Sequence, residues 1–183
     1  MHLYVVRHGE TEYNAQGRYA GSTDVPLNDT GIRQAVQLSQ QLAGIPFDVI
    51  VSSPLWRARQ TADIISASRN IRVLIMDGLA ERNMGVYEGL TRAEAAERYP
   101  ALWHRLRTRN LDDAPTGGEA MRQVDTRVSA ALQKIKDAYG DKCVLIVCHG
   151  FVSRVINRYC KDLTFDEMDV FMLDNCEVAE YIL

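Results

Sequence analysis

The sequence predicts an α/β fold: a three-layer α/β/α sandwich around a mainly parallel central sheet, carrying a small helical insertion. Two observations support this. Short β-branched runs alternate with helix-period segments along most of the chain, the pattern of a parallel sheet covered on both faces. Ionisable residues stand directly after several of those runs, at the sheet edge where such folds bind ligands.

Leu3-Tyr-Val-Val-Arg7 reads as a short buried strand. The helix after it places Ile32, Ala35, Val36 and Leu42 on one face. A second strand spans Asp48–Val51. Ser53-Pro54 then reads as a helix start, with Ser capping the free amides and Pro at the first helical position. That helix presents Ala58, Ala62 and Ile65 inward, and Ile71–Ile75 is the third strand. From Thr91 to Arg109 a separate helical stretch opens with the capping box Thr91-x-x-Glu94 and is interrupted by Pro100. It forms the insertion, about residues 90–117. A long helix from about Gly118 to Ala138 carries Val124, Val128, Ala131, Leu132 and Ile135 on one stripe, and feeds the strand Lys142–Cys148. The next helix turns Val152, Val155, Ile156 and Tyr159 inward. A second capping box, Thr164-x-x-Glu167, opens a last short helix, and Cys176–Leu183 closes the chain as a strand. With no internal repeat or linker, residues 1–183 read as one domain.

Composition narrows the function classes. The 183 residues are 46% hydrophobic and 25% charged, with 12 Gly and 5 Pro, which excludes disordered and collagen-like chains. Twenty-one Lys and Arg against 24 Asp and Glu leave a formal net charge of −3. No overall positive field is present for nucleic acid or an anionic membrane, so any anion site is local. Apolar stretches such as Val144–Cys148 fall far short of the roughly 18 residues of a membrane span, and the first residues do not read as a signal peptide. Cys143, Cys148, Cys160 and Cys176 lack zinc-type pairing. They read as reduced core thiols of a cytoplasmic protein, a monomer or homodimer.

Arg7, His8, Arg57, Glu81 and His149 collect at the carboxyl edge of the sheet. Chance places polar residues in such loops, but this mixture suits holding and cleaving a phosphate monoester. Arg7 and Arg57 offer planar forks of donors, and Arg57 lies in the first turn of its helix, next to that helix's positive end. Paired histidines also suit a metal. Two arginines beside them would repel a cation, however, and no carboxylate cluster or thiol pair completes a ligand set. No metal or other cofactor is expected. A nucleophilic side chain is then needed, and neutral imidazole is one of the few able to take a phosphoryl group. Of His8 and His149, His8 is preferred, because Gly9 would let the backbone turn beneath the ring and a carbonyl fix its tautomer.

Other residues have plainer readings. His2 and His104 are surface or packing residues, and Trp56, Trp103 and Tyr99 are core anchors, Trp103 alone being placed to fold over a substrate. Arg82, Arg92, Arg105, Arg107 and Arg109 read as a solvated face, with Arg82 the best rim candidate beside Glu81. Cys148 turns away from His149 into the core.

Four motifs stand in order: R-H-G-E-T at Arg7–Thr11, continued by Asn14 and by G-x-x-D-x-P-L-N at Gly21–Asn28; S-S-P-L-x-R-A-x-Q-T-A at Ser52–Ala62; L-x-E-R-x-x-G-x-x-E-G at Leu79–Gly89; and His149-Gly150. Through nearly its whole length the chain resembles the histidine phosphatase superfamily, which includes cofactor-dependent phosphoglycerate mutase. The resemblance implies that His8 becomes phosphohistidine and that Arg7, Arg57 and His149 bind the phosphate and stabilise the transition state. It implies Glu81 as proton donor, which would have to be protonated beside the dianion. Asn14 would bond a phosphoryl oxygen, Gly21, Ser22 and Thr23 would line the pocket with backbone amides, and Arg82 and Gly150 would border the substrate.

The resemblance leaves two enzymes sharing one intermediate, a phosphatase and a mutase, with a non-catalytic phospho-ligand binder as a third class. Mutases of this family are longer and read E-R-H-Y-G where Glu81-Arg-Asn-Met-Gly85 stands here. The compact insertion is more like small bacterial phosphatases, including α-ribazole phosphatase. The expected partner is a small phosphorylated metabolite, with 2,3-bisphosphoglycerate as cofactor only for a mutase. All five site residues are present, which argues against a mere binder.

Overall fold

The computed structural model describes residues 1–67, 69–107 and 110–183; Arg109, named above, lies outside them. Five strands, β1 (His2–Arg7), β2 (Val49–Ser52), β3 (Val73–Ile75), β4 (Cys143–Cys148) and β5 (Val178–Ile182), form one sheet in the order β3-β2-β4-β1-β5. The first four are parallel and β5 runs antiparallel at the edge beside β1. In register, Arg7 lies opposite Cys148 and Ser52 opposite Val147. His8, His149 and Ser53 therefore leave three adjacent strands at the same level.

The helices are α1 (Glu12–Ala15), α2 (Asp29–Gln41), α3 (Trp56–Ser66), α4 (Arg92–Arg98), α5 (Pro100–Arg107), α6 (Met121–Tyr139), α7 (Gly150–Lys161) and α8 (Phe165–Met168). Strand alternation divides β1 between two cores. Tyr4 and Val6 pack with Leu38, Ala58, Ala62 and Ile65 of α2 and α3. Leu3 and Val5 pack with Val124, Val128 and Leu132 of α6 and Val152 and Ile156 of α7. The inward stripe expected for α6 is buried along its whole length, and of the four residues expected inward on α7 only Tyr159 stays partly exposed. Among the described residues no helix is long and apolar enough to cross a membrane.

Three local expectations are corrected. On α2 the buried residues are Gly31, Ala35 and Leu38, whereas Ile32 and Val36 are 41% and 44% exposed. The helix is rolled by a backbone contact: a Cβ on Gly31 would stand 2.1 Å from the Glu10 carbonyl oxygen, and one on Gly9 2.5 Å from that of Gly31. Gly9 is thus required for close approach, not for a turn. Second, α3 starts at Trp56 instead of Pro54, and Ser53 does not cap it. The Trp56 N–H donates to Asp24 Oδ1 at 2.6 Å, so a carboxylate from a distant loop satisfies that helix end. Trp56 itself is half exposed and anchors no core.

Third, the long helix opens at Met121, because residues 117–119 lie against the Glu81 loop. Glu119 N donates to the Asn83 carbonyl at 2.9 Å, and a Cβ on Gly118 would meet that same oxygen. The insertion does break at Pro100, which starts α5 after the capped α4. Tyr87, Leu90 and Ala95 give it a small core, with Trp103 edge-on to Tyr87.

Candidate active site

β1 delivers Arg7 to the sheet edge, and His8 follows with only 3% of its surface exposed. The His8 backbone N–H donates to the Cys148 carbonyl at 3.0 Å, and its carbonyl accepts from Asn175 Nδ2 at 2.8 Å. Nδ1 of the ring lies 2.7 Å from the Gly9 carbonyl oxygen. A carbonyl only accepts, so Nδ1 carries the proton and Nε2 keeps its lone pair. Burial, then the charges of Arg57 and Arg7, hold the ring's pKa well below the usual imidazole value, against the opposing pull of the Gly9 carbonyl. His8 is neutral at pH 7.

Arg57 stands in the first turn of α3 and is fully buried. Its two terminal nitrogens donate to the Thr23 carbonyl at 2.9 Å and the Gly21 carbonyl at 2.8 Å, and its Nε lies 3.3 Å from His8 Nε2. The Glu88 carboxylate shapes that loop, accepting from Ser22 N at 2.7 Å, Ser22 Oγ at 2.9 Å, Met84 N at 3.0 Å and the Thr23 hydroxyl. The Thr23 amide donates to the Ala20 carbonyl. The expected lining of amides from Gly21 to Thr23 is therefore mostly spent: Ser22 gives its amide to Glu88 and Thr23 its amide to Ala20, while the carbonyls of Gly21 and Thr23 face Arg57.

His149 leaves β4 as the residue before α7 and is fully buried, its ring centroid 5.1 Å from that of His8. Its Nε2 lies 2.6 Å from Ser53 Oγ, while Nδ1 is buried without a partner among the described residues. Burial first, then Arg57, His8 and Arg7, hold this ring's pKa well below the usual value as well. Arg7 donates from one terminal nitrogen to the Leu173 carbonyl at 2.9 Å, and its Nε is also buried without a partner among the described residues. Two orphaned nitrogens thus occur in one small region, an arrangement that is costly unless a ligand completes it.

Glu81 reaches the start of α7, where its oxygens accept from Arg82 N at 2.8 Å and Phe151 N at 3.1 Å. A Cβ on Gly150 would lie 3.8 Å from the Arg7 guanidinium and 4.0 Å from Glu81 Oε2, so the space between those groups is open because residue 150 has no side chain. Arg82 donates from Nε to the Glu119 carbonyl at 2.9 Å and lies over the Phe151 ring. Asn14 uses its Oδ1 to accept from Thr11, leaving only its NH2 group for a ligand.

A cavity of about 570 Å³ is lined by Arg7, Gly21, Glu81, Arg82 and Gly150, and by Trp103 from the insertion. His8, Arg57 and His149 are buried and do not line it; Asn14 borders a neighbouring cleft with Arg7 and Asn175. Trp103 both packs on Tyr87 and faces the cavity. Cys148 turns into the core, where burial pushes its thiol pKa up. Ser53, Glu88 and Asn175 were not expected at the site. Ser53 and Glu88 stand inside quoted motifs, while nothing local marks Asn175. Two arginines, an imidazole with an unprotonated Nε2, a second imidazole and a carboxyl group can together bind a phosphoryl group, attack it and move a proton.

A family model described as the histidine phosphatase superfamily (branch 1) matches residues 3–182. The chain belongs to the histidine phosphatase superfamily. Phosphoserine phosphatase 1 of Hydrogenobacter thermophilus is 34% identical over 179 residues, 98% of this chain and 83% of that protein. The phosphoglycerate mutase-like protein 4 of Arabidopsis thaliana is 37% identical over 155 residues, 83% of this chain and 67% of that protein. Among solved structures, the α-ribazole phosphatase from Shigella flexneri superposes with a TM-score of 0.92 at 27% identity, covering 98% of this chain and 89% of that one. This histidine phosphatase has the α/β architecture of phosphoglycerate mutase-like enzymes.

Proposed function

We propose that the protein is a metal-independent phosphomonoesterase that hydrolyses a small phosphorylated metabolite through a phosphohistidine on His8. The observation that carries this reading is the ring of His8: neutral, held at Nδ1 by the Gly9 carbonyl, with an unprotonated Nε2 whose contact is the 3.3 Å one from Arg57 Nε. Nε2 attacks phosphorus and the P–O bond to the alcohol breaks in line. Protonated Glu81 gives its proton to the departing oxygen, and the resulting carboxylate takes a proton from the water that next attacks phosphorus. The P–N bond then breaks, leaving neutral His8 and inorganic phosphate. Arg7, Arg57 and His149 hold the phosphoryl oxygens, the Arg57 Nε contact passing from His8 to an oxygen as substrate enters. Asn14, Gly21, Arg82 and Gly150 border the substrate; Ser22 and Thr23 act by holding the loop that seats Arg57.

The test is rapid quenching with a ³²P-labelled phosphomonoester, which should trap an alkali-stable, acid-labile label on the wild type and none on His8→Ala. Steady turnover without label would refute the intermediate, and loss of turnover in chelator would refute metal independence. The second reading, a mutase using 2,3-bisphosphoglycerate, draws on the name of the Arabidopsis relative. Following 2-phosphoglycerate formation from 3-phosphoglycerate beside phosphate release separates the two.

A further inference from the structure

We propose that Ser53 is a positioning residue whose hydroxyl donates to His149 Nε2, holds that ring in the Nδ1–H tautomer and so makes His149 Nδ1 a hydrogen-bond donor to a phosphoryl oxygen. The identity of the acceptor rests on the phosphatase reading above; the tautomer does not.

The argument is a balance of protons. Ser53 and His149 are both fully buried, and their Oγ and Nε2 are 2.6 Å apart. Ser53 Oγ also accepts from Leu55 N at 3.3 Å. A hydroxyl has one proton and two lone pairs. If Nε2–H were the donor, Oγ would accept twice and its own proton would need a third partner. Among the described residues Oγ meets only Leu55 N and His149 Nε2. The buried O–H would then be stranded, a cost the other arrangement avoids. If Ser53 donates instead, every proton is placed except that on Nδ1, which is buried and without a partner. That one open N–H is what an anion satisfies. Burial first, then Arg57, Arg7 and Arg127, oppose protonation of the ring, so a neutral tautomer is what must be chosen.

The backbone places Ser53 for this role. Its N–H donates to the Val147 carbonyl at 3.0 Å, carrying β2 alongside β4 to the level of His149, and its carbonyl accepts from Ser52 Oγ at 2.9 Å. The hydroxyl that the sequence pattern offers as a helix cap is spent on the imidazole, while Asp24 takes over at the helix end.

The test uses the ¹⁵N-labelled full chain. Long-range ¹H–¹⁵N correlation across the histidine rings reads which nitrogen holds the proton, with His149 assigned by its loss in His149→Gln. The wild type should show His149 protonated at Nδ1 alone; protonation at Nε2 overturns the proposal, whatever the variants do. Ser53→Ala should lose the single tautomer and bind vanadate about tenfold to a hundredfold more weakly, the loss of one buried bond to a charged ligand. Ser53→Thr should keep it. His8, held by Gly9, should stay protonated at Nδ1 throughout and reports that the fold is intact. A folded Ser53→Ala that keeps a pure Nδ1–H ring also overturns the proposal. An Nδ1–H ring that depends on Ser53, in a protein that neither binds vanadate nor hydrolyses monoesters, would sink the phosphatase reading and leave the tautomer assignment standing.

Discussion

Gly150→Ala should separate stability from activity. Residue 150 opens α7 with ordinary helical backbone, and the added methyl would sit 3.8 Å from Arg7 Cζ and 4.0 Å from Glu81 Oε2, plain van der Waals distances. Nothing in the fold has to move. Removing the conformational freedom of glycine at a helical position stabilises by about 0.5–1 kcal/mol, which for a domain of this size raises Tm by about 1–4 °C. The same methyl occupies the gap between the Arg7 guanidinium and the Glu81 carboxylate, where the mechanism proposed above puts the ester oxygen. A displacement of about 1 Å in such a site costs about a hundredfold in rate. Differential scanning fluorimetry and kcat/KM on one phosphomonoester check the two halves together. A variant with unchanged kcat/KM and vanadate affinity would show that the phosphoryl group does not lie between Arg7 and Glu81. A fall in Tm would show that the start of α7 is not as open as the distances say.

Glu81→Gln should slow hydrolysis of alkyl phosphates by about a hundredfold or more but that of p-nitrophenyl phosphate much less, since nitrophenolate leaves without a proton; equal losses on both would remove Glu81 as the acid. His8→Ala should lose turnover yet still bind vanadate, because both arginines remain, as isothermal titration would read. For Glu88, burial pushes the carboxyl pKa up but the hydrogen bonds from Thr23, Ser22 and Met84 outweigh it and hold it below the ordinary value of 4.5. Its stabilisation is therefore complete above about pH 4.5 and is lost as pH falls through the lowered value. The difference in urea-unfolding stability between wild type and Glu88→Ala should shrink over that acid range, and a constant difference would contradict the linkage. The two buried histidines act higher: both are held neutral well below 6.5 in the folded state. Stability should start to fall as pH drops below about 6.5, where the unfolded chain begins to take up those protons, and His149→Gln should remove its share.

What could be read from the sequence was whatever is set by local period or local turn chemistry. The strand cores, the α6 stripe and the Thr91 and Thr164 boxes needed only neighbours within a few residues, and the register of β1 with β4 brings His8 and His149 together as the loop positions imply. The misplaced features all depend on a distant partner. Ile32 and Val36 fit the helical period as well as Gly31 does, but the contact of Gly9 and Glu10 with Gly31 decides which side faces in. Ser53-Pro54 has the chemistry of a helix start, and Asp24 and His149 remove the need for it. Asn175 gained its role because β5 returns antiparallel beside β1, setting its amide on the His8 carbonyl. No spacing rule reaches across that many residues.

Arg7 and Arg57 differ from three other partly buried arginines in what they are given to hold. Arg18, Arg127 and Arg158 each pair with a carboxylate, Glu94, Glu119 and Asp125 respectively. Arg7 and Arg57 donate instead to neutral carbonyls, of Leu173 in one case and of Gly21 and Thr23 in the other. Burial lowers the pKa of both, while Glu81 acts on each from farther off, joined by Asp174 for Arg7 and by Asp24 and Glu88 for Arg57. Carbonyl partners hold the terminal nitrogens without cancelling the charge, so the field at His8 Nε2 remains positive. A direct carboxylate partner would stabilise the resting protein more, and a phosphate would have to displace it. Asp24 and Glu88 act on Arg57 from a distance, as Asp174 does on Arg7, so each cation stays buried without a direct carboxylate partner, the state in which the proposed phosphomonoester would meet it.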